Sequence, residues 1–144
     1  MENEKQLKIL QQVYAGVLAD AVLQFEKEGV LKNVINRKRE EQMEKGALKA
    51  AQMGITTPKN VFLHLSKIFG CADWKVTTED RGFTAEAKAC LLCGFTKKLG
   101  TSSPCNLYCL DPMEGMVKGL SENTEFQVKE TLWDSSICRV KVII

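Results

Sequence analysis

Histidine is nearly absent from this sequence: there is one, His64, in 144 residues. A catalytic or metal centre built on several imidazoles therefore cannot come from a single copy of the chain. Charge of one sign is lacking too, since 20 basic and 18 acidic residues leave a formal net charge of +2. That balance gives no electrostatic reason to expect nucleic acid or an anionic membrane surface as partner. No apolar run approaches the roughly 20 residues of a membrane-spanning helix. A GxSxG elbow, an HExxH helix, a Walker loop and a dinucleotide-binding glycine fingerprint are all missing. Finally, cysteine is missing from the first 70 residues, although the chain has six.

Those six, Cys71, Cys90, Cys93, Cys105, Cys109 and Cys138, all fall in the second half. An even count suits disulfides in a secreted protein. The start Met1-Glu2-Asn3-Glu4-Lys5, followed by an amphipathic stretch, does not read as a secretory signal. Reduced thiols or metal ligands in a cytoplasmic protein are the expectation. An apolar fraction of 44% and a charged fraction of 26% are ordinary for one globular domain of this length.

Leu7, Leu10, Tyr14, Val17, Leu18, Ala21 and Phe25 recur at three- and four-residue steps, which predicts a helix over 4–28 closed by Gly29. A second helix is expected over 30–53. Its charged middle contains Arg37-Lys38-Arg39 followed by Glu40 and Glu41, which reads as a solvated face, and its small residues would admit a close backbone neighbour. Thr57-Pro58 supplies a cap and a first-turn proline for a third helix ending at Gly70. His64, beside Phe62 and Leu63 in that helix, reads as a packed or surface residue rather than a catalyst.

Beyond residue 70 the period changes to two. Trp74, Val76 and Thr78 alternate with polar residues, and so do Phe83, Ala85, Ala87 and Ala89 across the turn Asp80-Arg81-Gly82, which predicts a hairpin. Three alanines on an inward face are poor strand formers, so a close helix or a ligand should fill the space above them. Short helices are expected over 90–99, after Ser103-Pro104 and after Asp111-Pro112. Asp111 and Glu114 have the spacing of a capping box. A last hairpin places Phe126, Val128, Glu130 and Leu132 on one face, opposite Cys138, Val140 and Val142. The expected fold is α+β in the order α-α-α-β-β-α-α-β-β, one domain over 1–144 with a helical half (1–70) and a cysteine-bearing half (71–144).

Two constellations stand out. Cys90-x2-Cys93 with Cys105-x3-Cys109 has the makings of a four-thiolate zinc site, set against the reading of cysteine as a small apolar core residue. Glu130, on the inferred core face, should be paired, protonated or functional, unless a bulge turns it to water. Glu86 falls on the solvent face of its strand.

The stretch Cys90 to Cys109, the segment Cys105-Asn106-Leu107-Tyr108-Cys109-Leu110-Asp111 and the ending Glu130-Thr131-Leu132-Trp133-Asp134-Ser135-Ser136-Ile137-Cys138 resemble the L-2-amino-thiazoline-4-carboxylic acid hydrolase family. They also resemble the small-molecule-binding domains named after 4-vinyl reductase. Ser135-Ser136 stands where a glycine is usual, and Trp133 where vinyl-reductase domains often have a second cysteine. The resemblance implies a fold like that of heme-NO-binding and Golgi-transport ligand domains, with helices on one face of a four-stranded antiparallel sheet enclosing a pocket. It places that pocket over Ala85, Ala87 and Ala89, with Cys109 and Cys138 lining it. The implied reaction is opening of a thiazoline ring by water to a carbamoyl-cysteine, with Glu130 as general base. Three readings follow: a hydrolase, a non-catalytic ligand- or zinc-binding sensor, and an adaptor that dimerises through its first helix.

Overall fold

The computed structural model describes residues 1–144. Three helices come first, α1 (Asn3–Lys27), α2 (Leu31–Gln52) and α3 (Pro58–Phe69). The hairpin β1 (Lys75–Glu79) and β2 (Gly82–Ala87) follows, then α4 (Leu91–Leu99), α5 (Asp111–Leu120) and the hairpin β3 (Glu125–Glu130) and β4 (Cys138–Ile143). The expected order is the observed one. Both hairpins join through β2 and β4 into one antiparallel sheet, β1-β2-β4-β3. No helix is long and apolar enough to cross a membrane.

The predicted caps form. The Thr57 hydroxyl accepts from the Asn60 N–H at 3.4 Å, and Gly70 closes α3 in the left-handed conformation at φ 64°. Phe62 sits at the centre of the core and meets Trp74 and Phe83 edge-on, with ring centroids 5.2 and 5.6 Å away. Alternation along β4 buries Cys138, Val140 and Val142 against the helices.

α2 and α5 pack backbone to backbone. A Cβ on Gly46 would lie 1.9 Å from the Gly115 carbonyl oxygen, and one on Gly119 2.5 Å from the Ala47 nitrogen. These glycines set the distance between the two helices, as the small residues of α2 implied.

Four expectations are corrected. First, the helices foreseen after Ser103-Pro104 and Asp111-Pro112 are one continuous element, in which the π-helical segment Asn106–Leu110 runs straight into α5. Pro112 has no N–H to give the carbonyl four residues back, so the ladder slips to the five-residue step, as between the Asp111 N–H and the Asn106 carbonyl. Second, Asp111 is therefore no cap. Its Oδ1 accepts from Arg39 at 2.7 Å and from the Asn106 amide at 3.2 Å. Arg39 also binds Glu114, at 3.1 and 3.2 Å, so the basic cluster of α2 is not simply solvated. Third, the buried face of α1 is Ala15, Leu18, Ala19 and Val22, while Leu7, Leu10, Val13 and Val17 are exposed. Fourth, the alanine column is filled. Ala85 and Ala87 are fully buried in the core with Phe62, Trp74 and Val117, and Ala89 is exposed. Core side chains, not a cavity, occupy the space above Ala85 and Ala87.

Candidate functional site

The room expected over the sheet lies instead among the helices. A cavity of about 290 Å³ opens between α1, α2, α3 and the π-helical segment with α5. Apolar side chains dominate it, including Leu18, Met53, Leu65, Met113 and Met116. This is near the lower end of small-molecule pocket sizes, which run from roughly 300 to 1,000 Å³. From the wide π turn three consecutive residues, Leu107, Tyr108 and Cys109, line it.

The polar groups are few and placed on separate walls. α2 contributes Lys38, Gln42 and Lys49 from the face that also carries Gly46 and Met53. Gln42 is only 7% exposed, and its Oε1 has no hydrogen-bond partner within the protein. A buried carbonyl without a partner costs stability. Tyr14 and Tyr108 line the opposite side, and burial raises both phenols above their ordinary pKa, keeping them protonated.

Cysteines occupy the remaining end. Cys71, Cys90 and Cys109 line the cavity. Cys90 also borders an open groove with Gly70, Lys75, Lys88 and Lys98, and a tight apolar space of about 20 Å³ shared with Cys93, Cys105, Cys109 and Cys138. Five of the six thiols thus surround one small volume. All six are free.

Their proton affinities differ sharply. Cys90 is the N-cap of α4, and its sulfur accepts from the Cys93 N–H at 3.4 Å. A hydrogen bond from the Cys93 thiol, helped by the backbone N–H groups of Cys93 and Leu92, outweighs burial and lowers the Cys90 thiol to about 6. Burial pushes Cys71 and Cys138 up to about 11 and Cys109 well above its ordinary value. Cys105 is lowered and Cys93 raised, each chiefly by the contact between their two thiols.

Three sequence-level candidates come out differently. The four-thiolate zinc site is not assembled: Cys93 and Cys105 approach to 3.7 Å, but no three histidine, cysteine or carboxylate side chains are placed to hold a metal ion. Glu130 does not face the core. The β3–β4 register shifts between Val128 and Glu130, and the bulge leaves the carboxylate about one-third exposed, ion-paired with Arg139 and accepting from Ser135 at 3.2 Å. It lines none of the three spaces described above. Of the four residues expected to line a pocket, Cys109 lines the interhelical cavity, Cys138 only the tight thiol space, and Ala85 and Ala87 none. Glu86, on the outer face as expected, borders the open groove and pairs with Arg139 at 3.3 Å.

Gln42 and the two tyrosines were not singled out as site residues from the sequence, and Cys90 was singled out only as a zinc-ligand candidate. A signal existed for Cys90, because a cysteine directly before a helix, with another three residues on, is a candidate for thiolate stabilisation. For Gln42 the signal was weaker: the four-residue step to Gly46 puts it on the face of α2 that must be buried.

The fold and this site define a class, an α+β domain with a thiol-bordered cavity between its helices. Residues 3–139 match the family model described as L-2-amino-thiazoline-4-carboxylic acid hydrolase. The chain belongs to that family. No curated protein and no solved structure is matched, and the likeness to vinyl-reductase, heme-NO-binding and Golgi-transport domains remains one of sequence pattern.

Proposed function

We propose that the chain binds a small carboxylate-bearing heterocycle in the interhelical cavity and opens its ring with water, with the Cys90 thiolate as nucleophile. The observation that carries the reading is the pairing, within one cavity, of an unpartnered buried acceptor, Gln42 Oε1, with a thiolate. Family membership supports the substrate class.

A 2-amino-thiazoline-4-carboxylate suits these walls. Its exocyclic amino group donates to Gln42, and its carboxylate meets Lys49. The Cys90 sulfur adds to the ring carbon held between nitrogen and sulfur. That carbon's bond to the ring sulfur then breaks, and the ring sulfur leaves as a thiolate and takes a proton. Water adds to the same carbon, and the Cys90 thiolate is expelled, giving a carbamoyl-cysteine. The net change is addition of one water. The protonated phenols of Tyr14 and Tyr108 are donors available to the developing charge.

The test is appearance of the carbamoyl-cysteine from 2-amino-thiazoline-4-carboxylate. Activity is expected to rise with pH through about 6, as Cys90 loses its proton, and then level off. Cys90→Ser should lower kcat/KM by about 100-fold or more. A Cys90→Ser chain as active as the wild type would overturn the assignment. Binding in the same cavity without turnover would favour the sensor reading. Self-association through α1 is a separate reading, supported by the exposed stripe Leu7, Leu10, Val13 and Val17. A monomer at every concentration would remove it.

A further inference from the structure

We infer that Cys90, Cys93 and Cys105 form a thiol–disulfide exchange relay whose substrate is a low-molecular-weight disulfide and whose end product is a buried Cys93–Cys105 disulfide. This goes beyond the ring-opening reading and does not depend on it.

The geometry has three parts. Cys90-Leu91-Leu92-Cys93 straddles the start of α4, with the first sulfur capping the helix and the second held within its first turn. Cys90 borders the open groove, where Lys88 and Lys98 stand beside the Lys75–Asp73 and Glu86–Arg139 ion pairs, so a small disulfide can reach it from outside. Cys93, only 6% exposed, lies 3.7 Å sulfur to sulfur from Cys105. Closing that gap to a bond of about 2.05 Å needs a shift of less than about 2 Å. Cys105 sits just ahead of the π-helical segment, its N–H donating to the Ser103 hydroxyl at 3.1 Å. The attacking and resolving thiols also differ in the right direction, Cys90 being lowered and Cys93 raised.

The steps balance. Cys90 thiolate attacks one sulfur of the incoming disulfide, forms a mixed disulfide and releases one thiolate. Cys93 attacks the Cys90 sulfur, giving Cys90–Cys93, and its proton leaves with the second small thiol. Cys105 then attacks the Cys93 sulfur, and its proton passes to the small thiolate released first. The Cys93–Cys105 bond forms and the Cys90 thiolate is regenerated. Two electrons pass from the protein to the disulfide, which becomes two thiols.

Glutathione disulfide is the probe, with released thiol measured over time and residual protein thiols alkylated and mapped by mass spectrometry. The expected result is two glutathiones released per chain, a Cys93–Cys105 crosslink and a Cys90 that still alkylates. Cys90→Ser should slow crosslinking by about tenfold or more. Cys93→Ser should halt the reaction at a glutathione adduct on Cys90. A wild-type chain that stops at the mixed disulfide, or that crosslinks Cys71 to Cys90, overturns the relay, as does a folded Cys90→Ser chain that crosslinks at the wild-type rate. If a variant fails to fold, the wild-type crosslink map decides by itself. A chain that makes this disulfide but opens no thiazoline ring retains the relay and refutes the proposed hydrolase.

Discussion

The two apolar regions of this molecule are built on opposite rules. Between the helices and the sheet, Phe62, Phe83, Ala85, Ala87, Val140 and Val142 are buried to 1% exposure or less, and none borders the three spaces described above. Among the helices, long side chains such as Met53, Leu65 and Met116 surround about 290 Å³ of empty space. Small residues therefore do not mark the pocket. Glycines at the α2–α5 contact let backbones approach and Ala85 and Ala87 lie in the filled core, whereas the cavity is framed by bulky side chains. A stable core supports a space that contributes nothing to stability until it is occupied.

The comparison can be broken most decisively by truncation on each side. Phe62→Ala should destabilise the fold by about 3–5 kcal/mol, because a filled layer cannot collapse onto the gap. Met53→Ala, at the cavity wall, should cost about 1 kcal/mol, since its contacts are already incomplete on one side. Equal losses in denaturant melts would mean that the two regions are packed alike. A smaller effect of opposite sign is expected at Gln42. Gln42→Leu removes a buried acceptor without a partner, so it should raise stability by about 1 kcal/mol while weakening ligand binding by about tenfold. A variant that is both less stable and still binds would show that the amide belongs to the fold and not to the ligand. The least effect belongs to Glu130. Glu130→Gln should change turnover by less than about twofold, because its carboxylate is occupied by Arg139 on an edge strand. A large loss of kcat with the melting temperature unchanged would restore it as a base.

Much of the architecture was legible because it rests on local chemistry. The three- and four-residue apolar spacing of the first helices, the Thr57-Pro58 start and Gly70 stop of α3, and the alternation of Cys138, Val140 and Val142 are written in neighbouring residues. The order of elements and the two hairpins followed from them. The site was less legible. Ala85 and Ala87 looked like space because a sequence cannot tell a residue kept small for a neighbour from one kept small for a ligand. Glu130 looked buried because strict alternation was carried through a strand that bulges one residue earlier.

By itself, the sequence determined the α+β plan, the position of the thiols in one half and the family, since periodicity, caps and motif residues are local or linear properties. Tertiary structure alone decided where the cavity lies and what chemistry borders it. Gln42 and Tyr108 come from distant segments, and Cys90 meets them only because α4 starts beside the mouth of the helical layer. The same holds for the depressed Cys90 thiol, which is set by a helix terminus and a neighbouring thiol. Burial, hydrogen-bond partners and the distance between two sulfurs are properties of the folded chain, and they give six cysteines of identical covalent structure different proton affinities.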